Sequence, residues 1–295
     1  MRLVSELEQW WSQGEHVVLT LSGQARSIFR VRSGSGPTTT LLHGFPSSSF
    51  DWAKVTPRLG GTSELLLCDF LGFGASEKPK DHIYSIHEQA DLVQELWLRE
   101  GVESTALVTH DYADTVAQEL LARRAEGALA TDLTRLTLLN GGIYPDLHRP
   151  QPGQTALLDP EQGPQISALI NEELLIAGLT PTFALGYNAR VDSQAIWDAT
   201  SRDDGHRIMH LLIRYMQDRV EHGPRWVGAL EGTDVPLSFV WGMLDPISGA
   251  HIASRIRERL PDAHLVALED VSHWPLLEAP DRVAAALLAP TPSAG

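Results

Sequence analysis

Cysteine is nearly absent from this chain: Cys68 is the only one in 295 residues, which excludes an internal disulfide framework. Stability must therefore come from a packed core, which a chain of this length can bury, and a cytoplasmic setting fits the lack of bridges. Long hydrophobic runs are also missing. The longest apolar stretches have strand length, far below the roughly 20 residues needed to cross a bilayer, so no membrane span is expected. The N-terminal MRLVSELEQWWSQGEHVV carries early acidic residues and lacks a long apolar stretch with a small-residue cleavage site, so it does not read as a signal peptide. Positive charge is scarce as well: 23 Lys and Arg stand against 38 Asp and Glu, a formal net charge of −15, which disfavours a nucleic-acid partner.

What the chain does have is an alternation of short apolar runs and amphipathic stretches. Leu3, Leu7 and Trp10 or Trp11 are spaced for a short N-terminal helix, and VVLTL at 17–21 with SIFRV at 27–31 predict a hairpin around Gly23. Strands are then expected in TTTLLHG, ELLLCD at 64–69, TALVTH at 105–110 and RLTLLN at 135–140, with helices between them. Continuous apolar strands separated by helices imply an α/β fold with a mostly parallel sheet covered on both faces. The alternation stops from Tyr144 to Gly232, where Pro-rich joints and helix-like runs carry no convincing strand, and resumes with PLSFVWG, ASRIRERL, AHLVAL and PDRVAAALL. The reading is one sheet domain, 1–143 and 233–295, interrupted by a helical insertion, 144–232, with APTPSAG as a solvated tail.

Chemistry concentrates at three predicted strand ends. Asp111 follows TALVTH and precedes the helix YADTVAQELLARR, so its carboxylate lies where parallel sheets bind ligands, with a helix dipole favouring its ionised form. A plain N-cap explains that fragment equally well. HGFP at 43–46 follows another strand and can expose backbone N–H groups beside Asp111, while Asp245 and His273 each follow a late strand. A parallel sheet gathers such ends on one edge, which yields nucleophile, orienting acid and base in the order Asp111, Asp245, His273. His43, Trp52, His110, Tyr144 and Trp274 are further candidates for the pocket.

These residues resemble the α/β-hydrolase family, and within it the epoxide hydrolase and haloalkane dehalogenase branch. The small-x-nucleophile-x-small elbow is matched by Thr109, His110, Asp111, Tyr112 and Ala113, and the likeness extends through HGFP, DFLGFGASEKP, GMLDP and EDVSHWPLLEAP. A nearer resemblance, carried by HDYADTVAQELL, LNGGIYPDLHRP and RRAE…RWVGAL, is to the mesoderm-specific transcript proteins, which resemble membrane-associated relatives of epoxide hydrolases. Thr109 and Ala113 depart from the usual glycines, and Asp114 reads most simply as an acidic residue of the first helical turn.

The resemblance implies that Asp111 attacks an electrophilic carbon to form an alkyl-enzyme ester, which His273, oriented by Asp245, then hydrolyses through an activated water. The backbone N–H groups of Phe45 and Tyr112 would form the oxyanion hole, and phenols from the insertion, Tyr215 first and Tyr187 second, would protonate an opening epoxide. The expected partners are a small apolar electrophile and water; a homodimer is permitted, and no cofactor or metal is expected. Haloalkane dehalogenation is the alternative reaction, although Tyr112 and Phe45 lack the indole and amide donors that dehalogenases direct at halide. A non-catalytic ligand-binding protein is the alternative of another class. A serine esterase is disfavoured by the absence of Ser or Cys at the elbow. His206 and His210 lack the glutamate of HExxH, and HGFPSSS is not a dinucleotide fingerprint.

Overall fold

The computed structural model describes residues 5–289; Leu3 and residues 290–295 of the expected tail lie outside them. Glu6–Gln13 forms a helix because Ser5 and Glu8 close a capping box at its start and Leu7 and Trp10 bury one face. The strands are β1 Glu15–Leu21, β2 Gln24–Gly34, β3 Thr38–Leu42, β4 Glu64–Cys68, β5 Ser104–His110, β6 Asp132–Leu139, β7 Leu237–Gly242 and β8 His264–Leu268. They make one eight-stranded sheet in the order β1-β2-β4-β3-β5-β6-β7-β8. β2 pairs antiparallel with both β1 and β4, whereas β3 to β8 run parallel.

Sequence chemistry explains this division. β1 alternates exposed and buried residues, as an outer strand with one wet face must, while TTLL of β3, from Thr39, and LVTH of β5 are buried continuously under helices on both sides. The helix Ile86–Glu100 is started by Ser85, whose hydroxyl accepts from the Glu88 N–H, and ends at Gly101 in the left-handed region.

Between β6 and β7 the described residues form helices joined by loops, and no strand; the α-helices are Pro152–Leu158, Gly163–Leu169, Glu172–Leu179, Arg190–Ser201, Met209–Leu212 and Tyr215–Glu231. The last of these is fastened to the helix that follows β5, Tyr112–Ala125. Trp226 Nε1 donates to Glu119 Oε2 at 2.7 Å and Arg219 Nε to Thr115 Oγ1 at 2.7 Å. Tyr215, Arg219, Trp226 and Leu230 recur at helical spacing on the buried face, so this insertion helix delivers Tyr215 and Arg219 to the end of β5. No helix among the described residues is long and apolar enough to cross a membrane.

Candidate active site

β5 runs directly into Asp111, whose backbone adopts φ 50 and ψ −103 before the helix begins at Tyr112. A non-glycine residue at positive φ is strained, and that strain persists only where the surroundings hold it. Three contacts do so. The Asp111 N–H donates to Leu139 O at 3.0 Å, Thr109 Oγ1 donates to Asp114 Oδ1 at 2.6 Å, and Gly141 N–H donates to Asp114 Oδ2 at 2.9 Å. Asp114 is the acidic residue of the first helical turn, as expected, and is also a fully buried strut between the elbow and the loop after β6; burial pushes its carboxyl well above the usual range.

The loop after β3 approaches the elbow so closely that a Cβ on Gly44 would lie 2.8 Å from His110 Nδ1 and 3.0 Å from Asp111 Cβ. This approach lets the Phe45 N–H donate to Asp111 Oδ2 at 3.1 Å. Tyr112 supplies the first helical residue after Asp111. His43 accepts from Phe70 N–H through Nε2 at 3.0 Å and so donates from Nδ1 to Gly44 O at 2.8 Å. His43 is therefore a brace of the loop, and it does not line the pocket. Asp69, unsuspected from sequence, ties the same loop down by accepting from Ser49 N–H and Ala75 N–H, each at 2.7 Å.

His273 Nδ1 lies 2.9 Å from Asp245 Oδ2, and both residues are buried. Asp245 also accepts from Ile247 N–H at 2.7 Å and from Asn140 Nδ2 at 3.0 Å, which fixes its plane; against burial, the His273 charge and hydrogen bond, followed by these two donors, keep its carboxyl low. Asn140 was not singled out from sequence. It sits at φ 48 after β6 and exchanges two hydrogen bonds with the Gly242 backbone, so it aligns the ends of β6 and β7. Burial alone would lower the His273 pKa, yet the charge and hydrogen bond of Asp245, with a contribution from Asp111, raise it to about 9. His110 Nε2 donates to the His273 carbonyl at 2.8 Å, and burial first, then the His273 charge, holds its pKa down to about 4, so it braces the His273 backbone as a neutral ring.

A cavity of about 620 Å³ lies under the insertion, walled by Phe45, Ile247, His273 and Trp274 from the sheet side and by Leu157, Leu174 and Met209 from the other. Trp274 is held there by its indole N–H, which donates to Thr182 Oγ1 at 2.8 Å. Asp111 is 4% exposed and is not itself one of these walls, although Phe45 and His273 are. Trp52 is wholly buried in the turn Ser49–Trp52, away from the cavity lining. Tyr144 is covered by Arg255, 5.5 Å from its ring, and does not line an entrance.

The two insertion tyrosines separate. The buried Tyr215 hydroxyl has no partner within ordinary hydrogen-bond geometry among the described residues, its ring centroid is 4.9 Å from that of Tyr112, and burial, then the Asp111 charge, raises its pKa against the opposing pull of the Arg219 guanidinium beside it. The Tyr187 hydroxyl is engaged by Asp192 Oδ2 at 2.6 Å, Leu277 O at 2.9 Å and Lys54 Nζ at 3.2 Å, contacts that tie the insertion to both parts of the sheet domain.

Sequence reasoning missed Arg219. It is 2% exposed, its Nη2 donates to Asp111 O at 3.2 Å and lies 3.9 Å from Asp111 Oδ1, and its Cζ is 4.5 Å from the Tyr215 ring centroid. The available signal was an arginine at i+4 from Tyr215 in the middle of an apolar helical face.

Known proteins resemble this chain along nearly its full length. The putative hydrolase LipZ of Mycobacterium tuberculosis is 38% identical over 281 residues, covering 94% of this chain and 96% of that protein. The mesoderm-specific transcript homolog protein of Bos taurus is 39% identical over 259 residues, covering 84% and 76%. Among solved structures, haloalkane dehalogenase DbeA from Bradyrhizobium elkani shares the fold with a TM-score of 0.76 at 19% identity, covering 93% of this chain and 96% of that one. The pattern of the alpha/beta hydrolase family matches residues 41–286, and with the elbow at Asp111 and the His273–Asp245 pair in place, this chain belongs to that family.

Proposed function

We propose that the chain opens epoxides through an ester on Asp111 and hydrolyses that ester with water activated by His273. The observation that carries this reading is the unpartnered, buried Tyr215 hydroxyl beside an aspartate at the nucleophile elbow. Such a phenol suits a leaving oxygen that stays tethered to the carbon skeleton and gains negative charge.

Proton inventory supports the same cycle. In the resting site His273 is an imidazolium at neutral pH, flanked by the Asp245 and Asp111 carboxylates. Asp111 Oδ1 forms a C–O bond as the epoxide C–O bond breaks, and the released electron pair stays on the epoxide oxygen. Tyr215 protonates that oxygen and is reprotonated at the expense of His273. Alkylation also removes the Asp111 charge that helped raise the histidine, so the ring becomes a neutral base at the step that needs one. Water then attacks the ester carbonyl, with Phe45 N–H donating to its oxygen, and His273 takes back the proton as the diol departs.

Haloalkane dehalogenation uses the same nucleophile and base, and the likeness to DbeA brings it in as the second reading. The test is a turnover screen with aliphatic epoxides and haloalkanes, followed by mass spectrometry of a His273→Gln variant. Epoxide opening adds the whole substrate mass to the Asp111 peptide, whereas dehalogenation adds the substrate less the hydrogen halide. Turnover of haloalkanes alone, with only the lighter adduct, selects the second reading.

A further inference from the structure

Tyr215 offers an opening epoxide one proton donor, and Tyr187 is engaged elsewhere. The guanidinium of Arg219 has one arm free. Nε is bound to Thr115 and Nη2 to the Asp111 carbonyl, but Nη1 is buried with no hydrogen-bond partner among the described residues. Both ring nitrogens of His148 are likewise buried and unpartnered. A Cβ placed on Gly142 would lie 2.6 Å from Arg219 Nη1 and 2.6 Å from His148 Nδ1, so both atoms border one small space kept open by that glycine. Leaving a charged donor unpaired in the interior is costly, so this space is built for an acceptor oxygen.

Charge conservation identifies that oxygen. Asp111 is the anion beside Arg219 in the resting site, with Oδ1 at 3.9 Å, beyond hydrogen-bond distance. When Oδ1 is alkylated that anion vanishes, and an equal charge appears on the epoxide oxygen, which stays beside the carboxylate because it is tethered. A fixed cation close to both positions serves as counter-ion before and after, with no change in buried charge. A halide departs along the same anti line but is untethered, so its charge leaves the carbon skeleton.

We infer that Arg219, through Nη1, is a catalytic residue that donates to the epoxide oxygen together with Tyr215, taking the place of a second tyrosine. This rests on the epoxide reading of the site. His148 is the neighbouring neutral ring, held at about 3 by burial and then by the Arg219 charge, so it cannot compete as a cation.

Arg219→Lys separates donation from mere support of the nucleophile, because lysine retains a charge beside Asp111 but loses the second arm of the fork. Single-turnover alkylation of Asp111 is followed by mass spectrometry in the His273→Gln background, with an aliphatic epoxide and with methyl 4-nitrobenzenesulfonate, whose leaving group needs no proton. The epoxide rate is expected to fall about 100-fold and the sulfonate rate far less. Thr115→Val, which frees the guanidinium without removing it, should lower the same ratio by a smaller factor, and thermal unfolding establishes that each variant is folded. Equal losses with both reagents, or an unchanged epoxide rate, overturn the role. A parent enzyme that reacts with the sulfonate and with no epoxide overturns the epoxide reading itself, and this inference with it.

Discussion

Replacing His273 with glutamine should flatten one part of the dependence of stability on pH. The folded-state pKa of His273 is raised from 6.5 to about 9 because the Asp245 charge and hydrogen bond, with help from Asp111, outweigh burial. A raised histidine stabilises the fold fully below its unfolded value, and that contribution disappears as pH rises through the folded value. The window is therefore from about 6.5 to about 9. At roughly 1.4 kcal/mol per pKa unit, the loss across it is about 3 kcal/mol, or roughly 5 °C in melting temperature for a chain of this size. Other groups titrate nearby: burial lowers Lys78 to about 8, which makes stability rise with pH above that point, and raises the Cys68 thiol. The assay is accordingly a difference, with thermal unfolding of parent and His273→Gln measured at half-unit steps from pH 5.5 to pH 10, where those shared terms cancel. The parent's advantage should shrink by about 3 kcal/mol over the window. A constant difference would refute the charged pairing of His273 with Asp245.

Tyr215→Phe keeps the ring against Phe45 and Tyr112 and removes the unpartnered hydroxyl, so epoxide alkylation should slow about 100-fold while breakdown of a formed ester changes little, as stopped-flow and rapid-quench measurements can separate. Tyr187→Phe breaks the contacts with Asp192 and Leu277, and should lower the melting temperature while leaving the saturated alkylation rate nearly unchanged. Gly142→Ala drives a methyl against Arg219 Nη1 and His148 Nδ1, and should impair epoxide alkylation more than the overall fold, as single-turnover rates beside a melting curve would register. Asn140→Ala removes a donor to Asp245 and two links to Gly242; it should cost about 2 kcal/mol by denaturant titration and, because that donor helps hold the Asp245 carboxyl low, move the acid-side fall of a pH–activity profile to higher pH.

The fold was legible because the strands announce themselves locally. LLL in β4 and the apolar core of β5 are buried on both faces and read as continuous runs, and the helical insertion showed as a loss of that signal. Asp111, Asp245 and His273 were legible for the same reason: each ends or follows a parallel strand, and topology alone gathers such ends. What escaped depends on contacts made across the insertion. Nothing in the spacing of Tyr187 reveals that Asp192 and Lys54 claim its hydroxyl, since Lys54 comes from the other side of the sequence. Arg219 acts through the helix Tyr112–Ala125, more than a hundred residues earlier, and Asn140 through β7, so their roles appear only when those elements are packed.

The most direct test of an Asp111 nucleophile is one turnover of an epoxide by excess enzyme in ¹⁸O-labelled water. Water that attacks the ester carbonyl leaves its oxygen in the enzyme, so the first diol should be unlabelled and the heavy oxygen should appear in the peptide carrying Asp111. A labelled first diol with an unlabelled Asp111 peptide would mean that water attacks the epoxide directly, and would contradict the covalent account.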